Sequence, residues 1–536
     1  MYKLKFFILK VLCVLSMLVL LVVSHSCQKS DENGAVNSQA NVRVSLSVGE
    51  PDEERVTVGS SKTVRRTSEA TIQKSSIALD KGLSMEVTVV QNPQSVVNSG
   101  VSNSQGMEKK AAVQSIVKPL EKGVKYRVAV YSESGSYIES HDYAYGNEST
   151  TPGFPLDAGK TYTFVVYSVN SKTELPEIDS RSSLSVANLK NVSGDLMFFT
   201  KKMKLNFGNN DLSAVLQHKF SQITTTIEMD NSMTGSIEAI SGIQVGPTRG
   251  NATLMLSDGG LSYSQSAVNS NIIFGAIVPG SRSLTSNPAL IISPTTGSAS
   301  INIGSIRVDS ETKTNISIPE VKIVPGQKYS LILRFKTCSE DVTADGMDWS
   351  YPQTSWKVGS TTYTGIYKTD EQKYYKNNEV IQNTFMAPQA NYGFQFDITE
   401  LDNAFNMRVN GQYIFKTSDQ EQIQFETASS LGIVRNIQFA DGSDYTVGGI
   451  DQVYNMKGSL QTPLIRLLIS RTGEVTMLGS KVNNGPLFPL KLKNNLTFNK
   501  VSWNASGTNT VIVTQKVAGR TIIKGKGSGK KRITCS

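Results

Sequence analysis

Three copies of one short pattern constrain the fold of this chain more than any other feature of its sequence. Each copy reads apolar-x-x-Gly-x-x-Tyr and runs into a stretch rich in Val, Ile or Leu; the copies begin at Leu120, Leu156 and Ile323. This is the sequence form of a tyrosine corner, in which a glycine turn lets the tyrosine at a strand start bond to upstream backbone. Tyrosine corners are typical of Greek-key β-sandwiches. Two early copies and one far downstream therefore predict two sandwiches in series.

The rest of the sequence also favours strands. Residues 41–48 alternate polar and apolar side chains without a fault, which predicts a half-buried strand. No stretch after the N-terminal segment has a long helical periodicity, and 536 residues suffice for about two to four domains. After Cys338, Tyr and Asn become frequent and short apolar runs alternate with Gly, Asn and Asp turns. Residues 338–536 are therefore expected to form a third β-rich module.

The first residues predict export. Basic residues precede an apolar run at 11–23, and Ser24-His25-Ser26-Cys27 follow it. A basic region, a short apolar region and a site of small residues describe a secretory signal, so residues 1–26 are expected to be a signal peptide. A cysteine directly after the cleavage site resembles a bacterial lipobox, which predicts acylation of Cys27 and a lipidated linker over 27–40. The alternative is ordinary cleavage after Ser26 without a lipid.

The positive charge is concentrated at the two ends of the sequence. The net charge is +9, and six basic residues without an acid lie in 519–536. The chain between the two ends is neutral overall, so no nucleic-acid-binding surface is expected. Residues 525–531 bear a weak likeness to a phosphate-binding loop. The spacing fails, because Lys524 and Lys531 stand where that loop needs a glycine and a Ser or Thr.

Cysteine usage agrees with an exported protein. Cys13 leaves with the signal and Cys27 is the candidate for acylation, so Cys338 and Cys535 remain. In an oxidising compartment these two could form a disulfide, and two unpaired buried thiols are the alternative. The chain has no CxxC motif and no Cys/His cluster with zinc spacing, so no metal and no cofactor are expected.

Four segments resemble fimbrillin-like proteins, which are the subunits and accessory lipoproteins of Bacteroidales type V fimbriae. These segments are 126–131, 159–168, 218–223 and 325–329. The resemblance extends over 42–335 and implies an all-β fold of two tandem transthyretin-like Greek-key β-sandwiches, at 41–200 and 201–337. A shaft subunit would end near Cys338. The additional C-terminal β-rich module over 338–536 therefore resembles that of a minor or tip accessory component.

The resemblance also implies a mode of assembly. In such fimbriae an arginine-specific protease removes the first strand after export, and a strand of another subunit fills the groove. On this chain the cleavage site falls at Arg55, with Arg65 and Arg66 as the alternative, because these arginines follow the strand 41–48. The competing interpretation is that they are solvated linker charges. The implied partners are other fimbrial subunits through donor-strand contacts, the outer membrane through the lipid anchor, and a host or bacterial surface ligand.

The residues give little support to an enzyme. The chain has three histidines and no Gly-x-Ser-x-Gly motif, and no catalytic residue is expected. The leading hypothesis is a non-enzymatic fimbrial accessory or tip subunit at the outer membrane or cell surface that mediates adhesion. The second hypothesis is a glycan-binding surface lipoprotein that does not polymerise. The third is a glycan hydrolase on a β scaffold, since its paired carboxylates need no motif.

Aromatic residues are dense at the start of the third module. They are Trp349, Tyr351, Trp356, Tyr363 and Tyr367. Such a set could form a sugar-stacking face or fill a core, and the core is the interpretation that the sequence favours.

Overall fold

The computed structural model describes residues 39–49, 72–80, 82–92, 117–294, 298–427 and 433–535. Within these ranges the regular structure consists of 36 strands and two single-turn 3-10 helices, at Glu148–Thr150 and Val453–Asn455. The predicted all-β fold is confirmed.

The strands fall into three groups along the chain. Those up to residue 218 are β1 (Gln39–Gly49), β2 (Ile72–Asp80), β3 (Leu83–Asn92), β4 (Val117–Lys118), β5 (Lys125–Ser132), β6 (Tyr137–Ala144), β7 (Phe154–Asp157), β8 (Thr161–Ser168), β9 (Asn188–Val192), β10 (Met197–Lys204) and β11 (Gly208–His218). Those up to residue 337 are β12 (Ser221–Met229), β13 (Ile237–Arg249), β14 (Ala252–Met255), β15 (Leu261–Tyr263), β16 (Ala267–Asn271), β17 (Ser283–Thr285), β18 (Ala289–Ile291), β19 (Ser298–Val308), β20 (Glu311–Lys322) and β21 (Lys328–Thr337). The remaining strands are β22 (Ser339–Tyr351), β23 (Thr354–Val358), β24 (Thr361–Lys368), β25 (Lys373–Lys376), β26 (Val380–Ala387), β27 (Phe394–Leu401), β28 (Ala404–Val409), β29 (Gln412–Tyr413), β30 (Ile423–Gln424), β31 (Ile437–Phe439), β32 (Ile465–Ile469), β33 (Val475–Ser480), β34 (Leu487–Leu492), β35 (Asn509–Lys516) and β36 (Thr521–Arg532).

The first unit is one eight-stranded sheet that encloses its own core. Its order is β4-β1-β11-β10-β8-β5-β6, and β7 also pairs with β1. β10 meets β11 at only two residue pairs, Met197↔His218 and Phe198↔Gln217. The sheet therefore divides there into two parts, whose inward side chains form a single cluster that includes Val42, Val128 and Phe164.

The second unit is a sandwich of two sheets. The order β17-β12-β21-β3-β2, with β18 on β12, makes one sheet, and β16-β13-β19-β20 makes the other. Alternate residues of β12 and β21, such as Ile223, Ile227 and Leu331, point into the shared core. β12 lies parallel to β21 just as β1 lies parallel to β11, so the two units repeat one parallel pairing.

The hairpin β2–β3 belongs to the second unit although it follows β1 in the chain. All ten residues of β3 pair with β21, from Leu83↔Thr337 to Asn92↔Lys328. Its apolar residues Met85, Val87 and Val89 are buried in the core of the second unit. The range 41–200, expected to form the first sandwich, therefore contributes strands to both units.

Tyrosine corners form at two of the three predicted places. The glycine of each copy has a positive φ, which is the left-handed region that glycine adopts without strain: Gly123, Gly159 and Gly326. The hydroxyl of Tyr162 accepts a hydrogen bond from the backbone N–H of Asp157 at 3.2 Å. In the same way Tyr329 accepts from the N–H of Val324 at 2.7 Å.

The first copy keeps the glycine turn but makes a different hydrogen bond. The Tyr126 hydroxyl donates to the Glu148 carboxylate at 3.4 Å, and its ring stacks on Tyr143 with centroids 5.1 Å apart. For this tyrosine the predicted bond to upstream backbone is wrong, because its hydroxyl donates its hydrogen bond to the Glu148 carboxylate beyond β6 instead.

The third unit is a larger sandwich in which the last strand, β36, lies inside a sheet between β22 and β27. One sheet has the order β22-β36-β27-β32-β33-β34-β31, and the other is β26-β35-β28-β29 with β30 on β28. Their inner faces share one core, which includes Phe394, Phe396, Phe405 and Val513. The strands β23-β24-β25 form a small separate sheet in the same unit.

Five of the six basic residues near the end of the sequence lie in β36. The antiparallel register sets Lys531 opposite Glu340, Lys530 opposite Asp341, and Lys524 opposite Asp348. The corresponding nitrogen–oxygen distances are 3.1, 2.5 and 3.8 Å. Three of the six basic residues of 519–536 are therefore paired with acids of β22, the strand beside β36.

Candidate functional site

β1 is the described strand nearest the N-terminus, and it belongs to the first unit. It pairs parallel with β11 over nine residue pairs, from Ala40↔Gly208 to Val48↔Leu216. On its other edge it pairs antiparallel with β7 over residues 39–42 and with β4 over 48–49. Between these two, residues 43–47 pair on the β11 side alone among the described strands.

The inward side chains of β1 complete the core of the first unit. Ala40, Val42, Leu46 and Val48 are at most 8 % exposed, whereas Arg43 and Ser45 face outward. Burying a Val or Leu side chain stabilises a fold by about 2 kcal/mol. The alternation predicted from the sequence is thus the alternation observed, and β1 contributes substantially to the stability of this unit.

The segment of this chain that precedes β7 approaches β1 closely at Gly153. A Cβ atom at this position would lie 2.6 Å from the Asn41 Oδ1 and 2.8 Å from the Val42 carbonyl oxygen. No side chain fits in that space. Glycine at 153 therefore lets the segment that enters β7 close over the edge of β1.

β1 has an unusual covalent relation to the unit it completes. The next described element along the chain is β2, which lies in the second unit. The predicted cleavage residues Arg55, Arg65 and Arg66 fall in 50–71, outside the described residues. A cut in that segment would leave β1 held by non-covalent contacts alone, while β2 and β3 keep the following chain on the second unit.

The candidate lipidation residue also lies outside the described part of the chain. This holds for Cys27, for the predicted signal peptide 1–26 and for the linker up to residue 38. In the ranges that the structure describes, no helix is long and apolar enough to span a bilayer.

The two late cysteines are joined. A disulfide links Cys338 to Cys535, whose Cα atoms are 5.2 Å apart, across 197 residues of sequence. Beside it, Arg532 bonds to the carboxylates of Asp80 and Glu311 of the second unit. Burial alone would raise the pKa of Asp80, but Lys313, the Gly82 N–H and Arg532 hold it well below its usual range. The end of β36 is therefore fixed both to β22 and to the second unit.

A buried polar cluster continues this contact between the second and third units. Thr234 donates to the Tyr392 carbonyl oxygen at 2.8 Å, and Ser236 donates to the Glu474 carboxylate at 2.9 Å. Burial raises the pKa of the neighbouring Asp309 to about 7 and lowers that of Arg282 to about 10. These polar contacts make the second and third units cohere.

The aromatic residues singled out in the sequence divide between core and surface. Trp349 is 6 % exposed and Tyr351 packs against the core, as the favoured interpretation expected. Trp356, Tyr363 and Tyr367 instead lie on the small sheet β23-β24-β25, on the face away from the core. For these three the core interpretation is wrong. The signal in the sequence was the even spacing of Tyr363 and Tyr367, which puts both on one face of β24, and Ile366 and Lys368 of the other face are buried.

The ranges that the structure describes hold no group of three or more His, Cys, Asp or Glu that could bind a metal ion. Residues 525–531, with their weak likeness to a phosphate loop, lie inside β36. The alternating Gly525, Gly527 and Gly529 make room there for Phe396, Phe394 and Ala390 of the core.

Comparison with known proteins gives similarity at the level of structure. No family model matches the sequence, and no curated protein matches it. A candidate cell adhesion protein from Bacteroides fragilis is 15 % identical, with a TM-score of 0.28, over 52 % of this chain and 95 % of that one. The fimbrial anchor protein Mfa2 from Porphyromonas gingivalis is 10 % identical, with a TM-score of 0.24, over 36 % of this chain and 73 % of that one.

A fimbrial assembly protein from Parabacteroides distasonis is 9 % identical, with a TM-score of 0.24, over 47 % of this chain and 90 % of that one. Fimbrial and cell-adhesion proteins are the kind that the sequence resemblance predicted. The strand pairing of this chain, rather than these low similarities, defines its fold.

Proposed function

We propose that this chain is a non-enzymatic cell-surface fimbrial accessory or tip subunit that assembles by exchange of β1 and mediates adhesion. One observation carries the proposal. β1 fills the core of the first unit, yet its chain continues into the second unit through a segment that contains Arg55, Arg65 and Arg66.

The physical basis is strand addition. Without β1, β11 would present an open edge of backbone donors and acceptors beside an apolar groove. A strand from another subunit would recover both the hydrogen bonds and the burial. Such a strand needs small or apolar side chains at the places of Ala40, Val42, Leu46 and Val48. The half-buried Val44 tolerates more variation.

Cleavage and lipid anchoring have opposite consequences for this chain. A cut after Arg55, Arg65 or Arg66 would give a new N-terminus at Val56, Arg66 or Thr67. It would also separate the body from Cys27, the proposed site of lipid attachment to the outer membrane. A chain that keeps β1 would stay anchored and could receive no strand at this groove.

A reversible lock on β1 tests the proposal. Ser45 and Ser213 stand opposite each other on the outer face of the β1–β11 pair, with their hydroxyl oxygens 3.3 Å apart. We expect Ser45→Cys/Ser213→Cys to join the two strands by a disulfide. The variant is expressed in cells from which the wild-type gene has been deleted. The oxidised protein should fold but should be absent from the surface filaments of these cells.

The single variants Ser45→Cys and Ser213→Cys are the matched controls and should enter filaments like the wild type. N-terminal sequencing of filament-associated wild type should give Val56, Arg66 or Thr67. Filaments that contain the locked variant in normal amounts, or a wild-type chain that begins at a blocked Cys27, would overturn strand exchange.

A further inference from the structure

We infer that the outer face of the small sheet β23-β24-β25, with the cleft beside it, binds a neutral glycan chain. The inference names a ligand class for the adhesive part of the proposed function, on which it rests, and it is independent of strand exchange at β1.

The register of the small sheet places four aromatic side chains on one face. Trp356 stands directly opposite Tyr363, and Tyr367 stands directly opposite Tyr374. Tyr363 and Tyr367 are four residues apart on one strand, so they point to the same side. Ring centroids lie 6.0 Å apart for Trp356 and Tyr363, 4.6 Å for Trp356 and Tyr374, and 4.7 Å for Tyr367 and Tyr374. The four rings therefore form one continuous strip.

The opposite face of this sheet packs against the rest of the third unit. Ile366 is fully buried, Lys368 is 4 % exposed, and Tyr375 packs against the core of the third unit. On the strip, by contrast, Tyr374 is 47 % and Tyr367 is 37 % exposed, and Trp356 and Tyr363 are half-buried. Large aromatic surface that is turned to solvent while the other face holds the sheet in place is typical of a binding surface.

A cleft continues the strip. It has a volume of about 690 Å³ and is lined by Tyr367 together with Asp348, Thr354, Asp370 and Asn383. Clefts of this size suit ligands of several rings. The apolar faces of sugar rings stack on aromatic side chains, and sugar hydroxyls donate to carboxylates and bond to amides. The strip and the cleft together offer both kinds of contact along one line.

The charges select a neutral chain over an acidic one. The side chains of Asp348 and Asp370 are 81 % and 60 % exposed, and each forms an ion pair with a lysine, so the cleft has no excess of positive charge to attract an anionic ligand. At the other end of the strip the Lys376 ammonium lies 4.0 Å from the centre of the Tyr363 ring, and this cation–π contact holds the ammonium against the ring. A ligand with many hydroxyls and no charge fits both ends.

The test is native affinity electrophoresis of the full-length protein in gels that contain mannan, galactan, xylan or a mixed-linkage β-glucan. Polygalacturonate and chondroitin sulfate serve as acidic comparisons. We expect at least one neutral polymer to retard the wild type. Trp356→Ala and Tyr374→Ala should each weaken binding about tenfold, since each removes a stacking ring.

The matched control is Tyr454→Ala, which removes another exposed tyrosine of the same unit, one that stacks with Arg520. It should bind like the wild type. The locked Ser45→Cys/Ser213→Cys variant should bind as well, which separates this site from strand exchange. Retardation by acidic polymers alone, no retardation by any polymer, or full binding by Trp356→Ala and Tyr374→Ala would overturn the inference.

Discussion

Asp309 shows how the surroundings of one carboxyl group make folding depend on pH. Burial is the largest influence on it and raises its pKa to about 7, while Tyr392, Arg471 and Arg282 act in the opposite direction. In the unfolded chain the group ionises near its ordinary value of 3.8. The folded protein therefore retains a proton between these values that the unfolded chain releases, and its stability falls as the pH rises through this window.

We predict that Asp309→Asn removes this dependence. The free energy of unfolding of the wild type, measured against that of the variant, should fall by about 2 kcal/mol between pH 5 and pH 8. Urea unfolding at both pH values measures it. Asp345→Asn, which changes an exposed carboxyl, should leave the pH dependence as it is in the wild type. An equal pH dependence of wild type and Asp309→Asn would contradict this account.

At the scale of an element, β36 depends on its glycines. A Cβ atom on Gly527 would lie 2.8 Å from Cζ of Phe394, in a strand that is paired on both sides, with β22 and with β27. Gly527→Ala should therefore destabilise the third unit by about 1–3 kcal/mol through overpacking. Chemical unfolding followed by tryptophan fluorescence reports on this unit, because all three tryptophans, Trp349, Trp356 and Trp503, belong to it.

A second substitution separates overpacking from a loss of strand propensity. Phe394→Leu makes space beside Gly527, so the pair Gly527→Ala/Phe394→Leu should cost less than the sum of the two single variants. Simple additivity would show that the ring and the glycine are not coupled.

What the sequence could predict at this scale was local. The alternation over 41–48 predicts β1, and the glycine–tyrosine spacing predicts the turns before β5, β8 and β21, because both patterns are complete within a few residues. The partner of a strand is not encoded nearby. Ser45 of β1 faces a residue 168 positions away, and β3 pairs with β21 rather than within the first unit.

The same limit applies to charges and aromatic residues. The cations of β36 form a run without an acid in the sequence, because the acids that face them, such as Asp341, lie about 190 residues earlier. Tyr374 was missed because its neighbour Tyr367 is across a turn. The strip on the small sheet became visible only when the pairing of β24 with β25 was known.

At the scale of the whole molecule, the disulfide should matter most for the third unit. It closes a loop across 197 residues, which in the chain-entropy description stabilises the folded state by about 5 kcal/mol, less any strain. Cys338→Ser/Cys535→Ser should shift unfolding followed by tryptophan fluorescence to much lower urea concentration. Reductant should move the wild type to the same place and leave the variant unchanged. Identical midpoints for oxidised wild type and the double variant would refute this stabilisation.

The joined ends of the third unit have a mechanical consequence. β22 begins after Cys338 and β36 ends before Cys535. The disulfide therefore joins the ends of two neighbouring antiparallel strands beside the second unit. If the aromatic strip holds a surface as we infer, tension between that surface and the rest of the molecule would enter both strands at their disulfide-linked ends. The covalent bond there prevents them from unzipping one hydrogen bond at a time from Ser339 and Arg532 onward. The disulfide should therefore let the third unit bear a pull, such as that of flowing liquid, without separation of β22 from β36.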